Sequence, residues 1–97
     1  MAIDCGAGKS KVPVVVSYRD SLLSDGLVAI FINQTSNRLT ISYKFENKAL
    51  GEVKEGAIDI KPNAKVEIGW LEGWNFVSGD TITVSHHNYR SFTTRIP

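Results

Sequence analysis

Leu39-Thr40-Ile41-Ser42-Tyr43-Lys44-Phe45-Glu46 alternates large apolar and polar residues without a break. A side-chain period of two puts Leu39, Ile41, Tyr43 and Phe45 on one face, which marks a strand with that face in a core. The same pattern returns in Ala57-Ile58-Asp59-Ile60, in Lys65-Val66-Glu67-Ile68-Gly69-Trp70, in Thr81-Ile82-Thr83-Val84-Ser85 and in Ser91-Phe92-Thr93-Thr94-Arg95-Ile96. Upstream, residues 12–18 form a first strand, with Pro13 placing it at an edge or a strand start. Leu27-Val28-Ala29-Ile30-Phe31-Ile32 is apolar on both faces, as suits a central strand whose second face is also covered.

Turn chemistry fills the gaps. Ser24-Asp25-Gly26, Asn33-Gln34-Thr35-Ser36-Asn37, Val77-Ser78-Gly79-Asp80 and His86-His87-Asn88-Tyr89 are polar breaks, and Lys61-Pro62-Asn63-Ala64 suits a four-residue hairpin loop. No window of a dozen residues holds a helical period; residues 18–23 offer one short turn at most. About seven short strands with frequent turns indicate an all-β antiparallel sandwich or a small barrel.

Composition sets the other bounds. Ninety-seven residues make one domain, read as a flexible leader over residues 1–11 and a β-domain over 12–97. A formal charge of +1, with both signs interspersed, argues against a nucleic-acid arm or a membrane tether. The longest strongly apolar run, residues 27–32, is far short of the roughly 20 residues of a spanning helix, so no membrane insertion is expected. Cys5 is the only cysteine, which excludes an internal disulfide and a cysteine-based zinc cluster. Met1-Ala2-Ile3-Asp4-Cys5 lacks the basic-then-apolar order of a signal peptide, and the chain reads best as an excised mature segment.

Ser21-Leu22-Leu23-Ser24-Asp25-Gly26, followed by an apolar strand ending in Asn33-Gln34-Thr35-Ser36-Asn37-Arg38-Leu39, resembles bacterial extracytoplasmic immunoglobulin-like (fibronectin-III-like) domains. So does the Pro62-Asn63 turn leading into Val66-Glu67-Ile68-Gly69 and then Gly79-Asp80-Thr81-Ile82-Thr83-Val84. The resemblance lies in turn-and-strand grammar after Lys11, and the Cys…Trp…Cys hallmark of antibody domains is absent. It implies an immunoglobulin-like β-sandwich outside the cytoplasm (periplasmic, cell-surface or secreted), working as a structural or protein-interaction module.

Catalytic motifs fail on spacing. Cys5-Gly6-Ala7-Gly8-Lys9-Ser10 ends like a phosphate-binding loop, yet Ile3 stands where that motif needs glycine. No Gly-x-Ser-x-Gly elbow occurs. Asp20, Asp25, Asp59 and Asp80 sit at or near turns or on alternating strand faces, and turn geometry accounts for Asp25 and Asp80 beside Gly26 and Gly79. Adjacent His86 and His87 face opposite ways on a strand and converge only in a turn; without a third nitrogen or sulfur ligand no metal is expected. They are the groups that titrate nearest neutrality. The reading is therefore a non-enzyme with no cofactor.

Gly69-Trp70-Leu71-Glu72-Gly73-Trp74-Asn75-Phe76 is the most unusual segment. Trp70 continues the inward set of Val66 and Ile68 and so reads as core. Trp74 and Phe76 share a parity, with Gly73 allowing a bend, and Tyr89 is a candidate for the same end of the sandwich. Two accounts stay open: an aromatic plug over one end of the core, or an exposed platform of Trp70, Trp74, Phe76 and Tyr89 for a protein or a carbohydrate. The outward row Val28, Ile30 and Ile32 calls for a neighbouring domain, self-association, or a cover formed by residues 46–56. Asn33-Gln34-Thr35 fits the N-glycosylation pattern, for which a turn role suffices.

Overall fold

Strands form where the apolar alternation runs. A computed structural model describes residues 10–22 and 25–97 of the chain. It contains β1 (Val14–Asp20), β2 (Leu27–Asn33), β3 (Leu39–Asn47), β4 (Glu52–Ile60), β5 (Lys65–Ile68), β6 (Thr81–His86) and β7 (Tyr89–Arg95), with a 3-10 turn at Trp70–Glu72. Two antiparallel sheets result, one ordered β1-β2-β5 and the other β4-β3-β6-β7. The expected all-β antiparallel sandwich is the observed fold class. The leader's phosphate-loop-like stretch lies almost wholly outside the described residues.

The inner faces follow from register. Val14↔Asn33 through Asp20↔Leu27 aligns β1 with β2, and Ala29↔Ile68 aligns β2 with β5. This turns Ala29 and Phe31 inward, against Ile41, Phe45, Ile82 and Val84 of the second sheet, and all six are fully buried. Phe45 stands at the centre: Tyr43 stacks on it at 4.3 Å, Phe76 meets it edge-on at 4.8 Å, and Phe31 lies 6.2 Å away. Such aromatic pairs add to the area they bury.

Several boundaries differ from the sequence reading. β1 continues to Asp20 instead of turning at Tyr18, because Arg19 and Asp20 stay in register with Val28 and Leu27. Residues 52–60 form one long edge strand in the second sheet, so residues 46–56 do not cover the outward row of β2. Before Pro13 the chain belongs to the other sheet: Arg90 N–H donates to Ser10 O at 2.8 Å, and Val12 N–H donates to Arg90 O at 3.0 Å. Pro13 is the crossover, and Ser10 and Val12 before it are paired with Arg90.

The strand directions sort the connections into two ends. Turns 34–38, 61–64 and 87–88 lie at the end where β3 begins; the end of β1, the start of β2, turn 48–51 and the loop 69–80 lie at the other. Asn33 fastens the first of these ends. Its buried Nδ2 donates to the carbonyls of Asn37 (2.8 Å), Ile60 (3.0 Å) and Lys61 (3.2 Å), while its Oδ1 accepts from Thr35 N–H and Oγ1. The glycosylation pattern thus has a conformational explanation, since the nitrogen a glycan would occupy is buried and donating. Replacing Asn33 by Ala leaves carbonyls of two connections without their donor and is expected to cost about 2–4 kcal/mol. The urea midpoint should fall with an unchanged slope; a loss under about 1 kcal/mol would contradict this role.

Candidate functional site

At the other end, Gly69 ends the regular pairing of β5. Its position beside Val28 leaves no room for a side chain: a Cβ there would lie 2.8 Å from Val28 Cγ2. The chain then coils through Trp70–Glu72, with Gly69 N–H donating to Glu72 Oε1 at 2.7 Å and Gly73 taking φ 100° to close the turn. This tight turn throws Trp70 outward. Trp70 is 54% exposed and is not the core residue that strand parity suggests, because the parity of β5 ends one residue earlier.

Beyond Gly73 the chain turns in. Trp74 is half-buried, 5.9 Å from Phe45 and 6.2 Å from Phe76, and Phe76 is fully buried. The Trp74 indole N–H donates to Asp80 Oδ2 at 3.2 Å, Val77 N–H donates to the same oxygen at 3.0 Å, and Asn47 Nδ2 donates to Oδ1 at 2.8 Å. Trp74 and Phe76 therefore form the plug, not the platform. Tyr89 pairs with His86 at the far end of β6, about 17 Å from Thr81 at strand rise. It does not join the tryptophans.

The four proposed site residues thus separate: Trp70 outside, Trp74 and Phe76 within, Tyr89 at the opposite end. The residues that accompany Trp70 are others. A groove of about 360 Å³ runs between Trp70, Leu71 and Leu22, floored by Val28 and walled by Arg19 and Glu67. Leu22 is 90% and Leu71 70% exposed. Leu50, Val53 and Val77 are also exposed at this end, which therefore holds six of the seven exposed large apolar residues among those described; Val15 is the seventh. Each of these six residues is apolar in the sequence, but no periodicity links them, because five belong to three separate connections and Val53 to the start of β4. The outward row of β2 is partly covered: Val28 is buried beside Gly69 and Trp70, while Ile30 and Ile32 are half-exposed.

Arg19 supplies the groove's fixed charge. Its Nη2 and Nε donate to Glu67 Oε1 at 2.7 and 3.2 Å, and its Nη1 donates to Asp20 O at 3.0 Å. The hydrogen bond from Arg19 holds the Glu67 carboxyl below the usual carboxylate range, aided by the charges of Arg19 and Lys65 and opposed by desolvation. At the other end His86 and His87 stack at 4.6 Å with rings 15° from parallel, and His86 Nδ1 accepts from Asn88 N–H. Lone pairs lie in the ring planes, so two such rings cannot aim at one ion. Among the described residues no group of three His, Cys, Asp or Glu side chains could hold a metal.

No family model, no curated protein and no solved structure matches this chain. What the coordinates define is a class: a seven-stranded antiparallel β-sandwich with an apolar loop end.

Two stability measurements follow. Trp74→Ala removes the plug and one of the three donors to Asp80, at an expected cost of about 3–5 kcal/mol, whereas Trp70→Ala should cost less than about 1 kcal/mol. Equal losses in urea unfolding would contradict the division between inner and outer tryptophan. Glu67 titrates lower in the folded chain than in the unfolded one, so its stabilisation is complete above the ordinary carboxylate range and fades as pH falls through that range. Urea midpoints of Glu67→Gln should converge on those of the parent between pH 6 and pH 3, the gap at neutrality being small for an exposed pair. A gap that widens in acid would refute the pairing.

Proposed function

We propose that this domain is a non-catalytic protein-interaction module of an envelope or secreted protein, and that it binds its partner at the loop end around Trp70. The observation that carries this reading is the gathering of six exposed large apolar side chains onto one end, beside a groove with an apolar floor. Three of them, Leu22, Trp70 and Leu71, line that groove together; contiguous apolar surface is uncommon on monomers, and exposed tryptophan is enriched in interface hot spots. The non-catalytic part rests on placement: both imidazoles of the chain stand a strand's length from the groove, so its carboxylates have no imidazole for proton exchange. The extracytoplasmic setting rests on the resemblance in turn and strand order.

Carbohydrate binding is the second reading, and one observation favours it. The exposed face of Trp70 lies beside Glu67 and Glu72, a stacking surface next to carboxylates that accept from sugar hydroxyls. The platform is then Trp70 alone, since Trp74 and Phe76 serve the plug.

Panning a random peptide library against the folded domain tests the first reading. Selected peptides should lose at least tenfold in affinity for Trp70→Ala, whose urea midpoint stays near the parent's. Peptides that bind Trp70→Ala as well as the parent would place recognition elsewhere. Binding on a glycan array that disappears with Trp70→Ala would favour the second reading.

A further inference from the structure

The charges of this molecule are sorted lengthwise, a feature hidden by the even mixing of signs along the sequence. Among the described residues, the end that holds turns 34–38, 61–64 and 87–88 carries Lys11, Arg38, Lys61, Lys65 and Arg90 against Asp59 alone, four net positive charges. The groove half carries eight carboxylates against five basic groups, three net negative charges. Close to the groove, Glu67 and Glu72 line it and Asp20 and Asp25 flank it; the cations there are Arg19 and Lys65, whose Nζ reaches from the basic end to lie 3.8 Å from Glu67 Oε2. Arg19 is already engaged by Glu67 and by the Asp20 carbonyl. Glu72 gives one oxygen to Gly69 N–H and keeps the other for a ligand.

This sorting decides among the occupants of an apolar surface. An anionic membrane is repelled by the negative end that carries Trp70, Leu71 and Leu22. A second copy meeting groove to groove sets like charge against like. A second copy meeting head to tail sets the apolar loops against an end where, among the described residues, Val15 is the nearest exposed large apolar residue. We infer that the groove takes a basic, apolar-anchored polypeptide segment: a large aliphatic or aromatic side chain seated between Trp70 and Leu22 over Val28, with a neighbouring Lys or Arg reaching the free oxygen of Glu72. This deepens the interaction-module reading and rests on it. The negative rim steers such a segment toward the groove, and the apolar contact holds it there.

Fluorescence anisotropy with two labelled eight-residue peptides tests the inference, one alternating lysine with leucine and the other alternating glutamate with leucine. The lysine peptide should bind the intact domain at least tenfold more tightly than the glutamate peptide in 50 mM salt. That advantage should shrink severalfold at 0.5 M, where the screening length falls to roughly 4 Å. Trp70→Ala should weaken the lysine peptide at least tenfold, and Glu72→Gln, which keeps the acceptor for Gly69, should weaken it about threefold to fivefold. If both peptides bind equally and Trp70→Ala weakens both, the apolar end is a binding site and the charge argument is wrong. If Trp70→Ala changes neither, the interaction-module reading at this end falls as well. Absence of binding by the lysine peptide, preferential uptake by phosphatidylserine vesicles, or dimerisation on a sizing column that Trp70→Ala abolishes would each overturn the basic-segment inference.

Discussion

A single buried carboxylate holds the groove-bearing end in shape. Asp80 accepts from the Trp74 indole, the Val77 backbone and the Asn47 side chain, and so ties the 69–80 loop to the end of β3 at the point where β6 begins. Its own N–H donates to Val77 O, and its carbonyl accepts from Ile96 N–H, which adds the end of the chain to the same knot. A buried charge is tolerable only when donors replace water, and here three do. With Trp74 anchored in this way, Phe76 is held edge-on to Phe45 and the core is closed at that end. The exposed position of Trp70 is the other side of that closure, because Gly73 must reverse the chain between the two tryptophans.

Much of the fold is legible in the sequence because strand periodicity is local. Leu39 to Phe45 alternate in sequence and bury alternately in the sandwich, and the two-faced residues of β2 sit at the centre of their sheet. A turn falls at Pro62-Asn63 where turn chemistry puts it, with Asn63 at φ 55°, but it carries the chain from β4 of one sheet to β5 of the other and so is a crossover, not the expected hairpin. The candidate site is less legible, for a physical reason. Trp70, Leu22 and Val28 become neighbours through register and through the glycine that lets Gly69 lie against Val28, and neither is written in local spacing. Parity extended past Ile68 places Trp70 inside, because the 3-10 turn that breaks it depends on the Glu72 side chain reaching back to Gly69. Tyr89 is misplaced for a similar reason: turn order along the chain does not say which end of a sandwich a turn occupies.

The two ends differ in what holds them and in what they show to solvent. Asn33 and Asp80 are the two buried polar side chains among the described residues, one at each end: Asn33 satisfies backbone carbonyls of two connections, and Asp80 binds the Val77 backbone and the side chains of Trp74 and Asn47. Around Asn33 the surface is basic and polar; around Asp80 it is acidic and apolar. Side chains that serve the frame point inward in both cases, which leaves the loop exteriors free to carry recognition without a loss of core packing.

Pro13 gives the molecule one more property. The backbone leaves the β7 edge at Val12 and joins β2 from Val14, running parallel to β7, while Ile96 ends up beside Asp80 at the opposite pole. A pull that draws Ser10 and Ile96 apart therefore slides the Ser10–Val12 stretch lengthwise along β7. Its two hydrogen bonds to Arg90 bear that load together, as shear, instead of opening one after the other like a zip. The crossover that seals the flank of the sandwich is also its point of resistance to stretching.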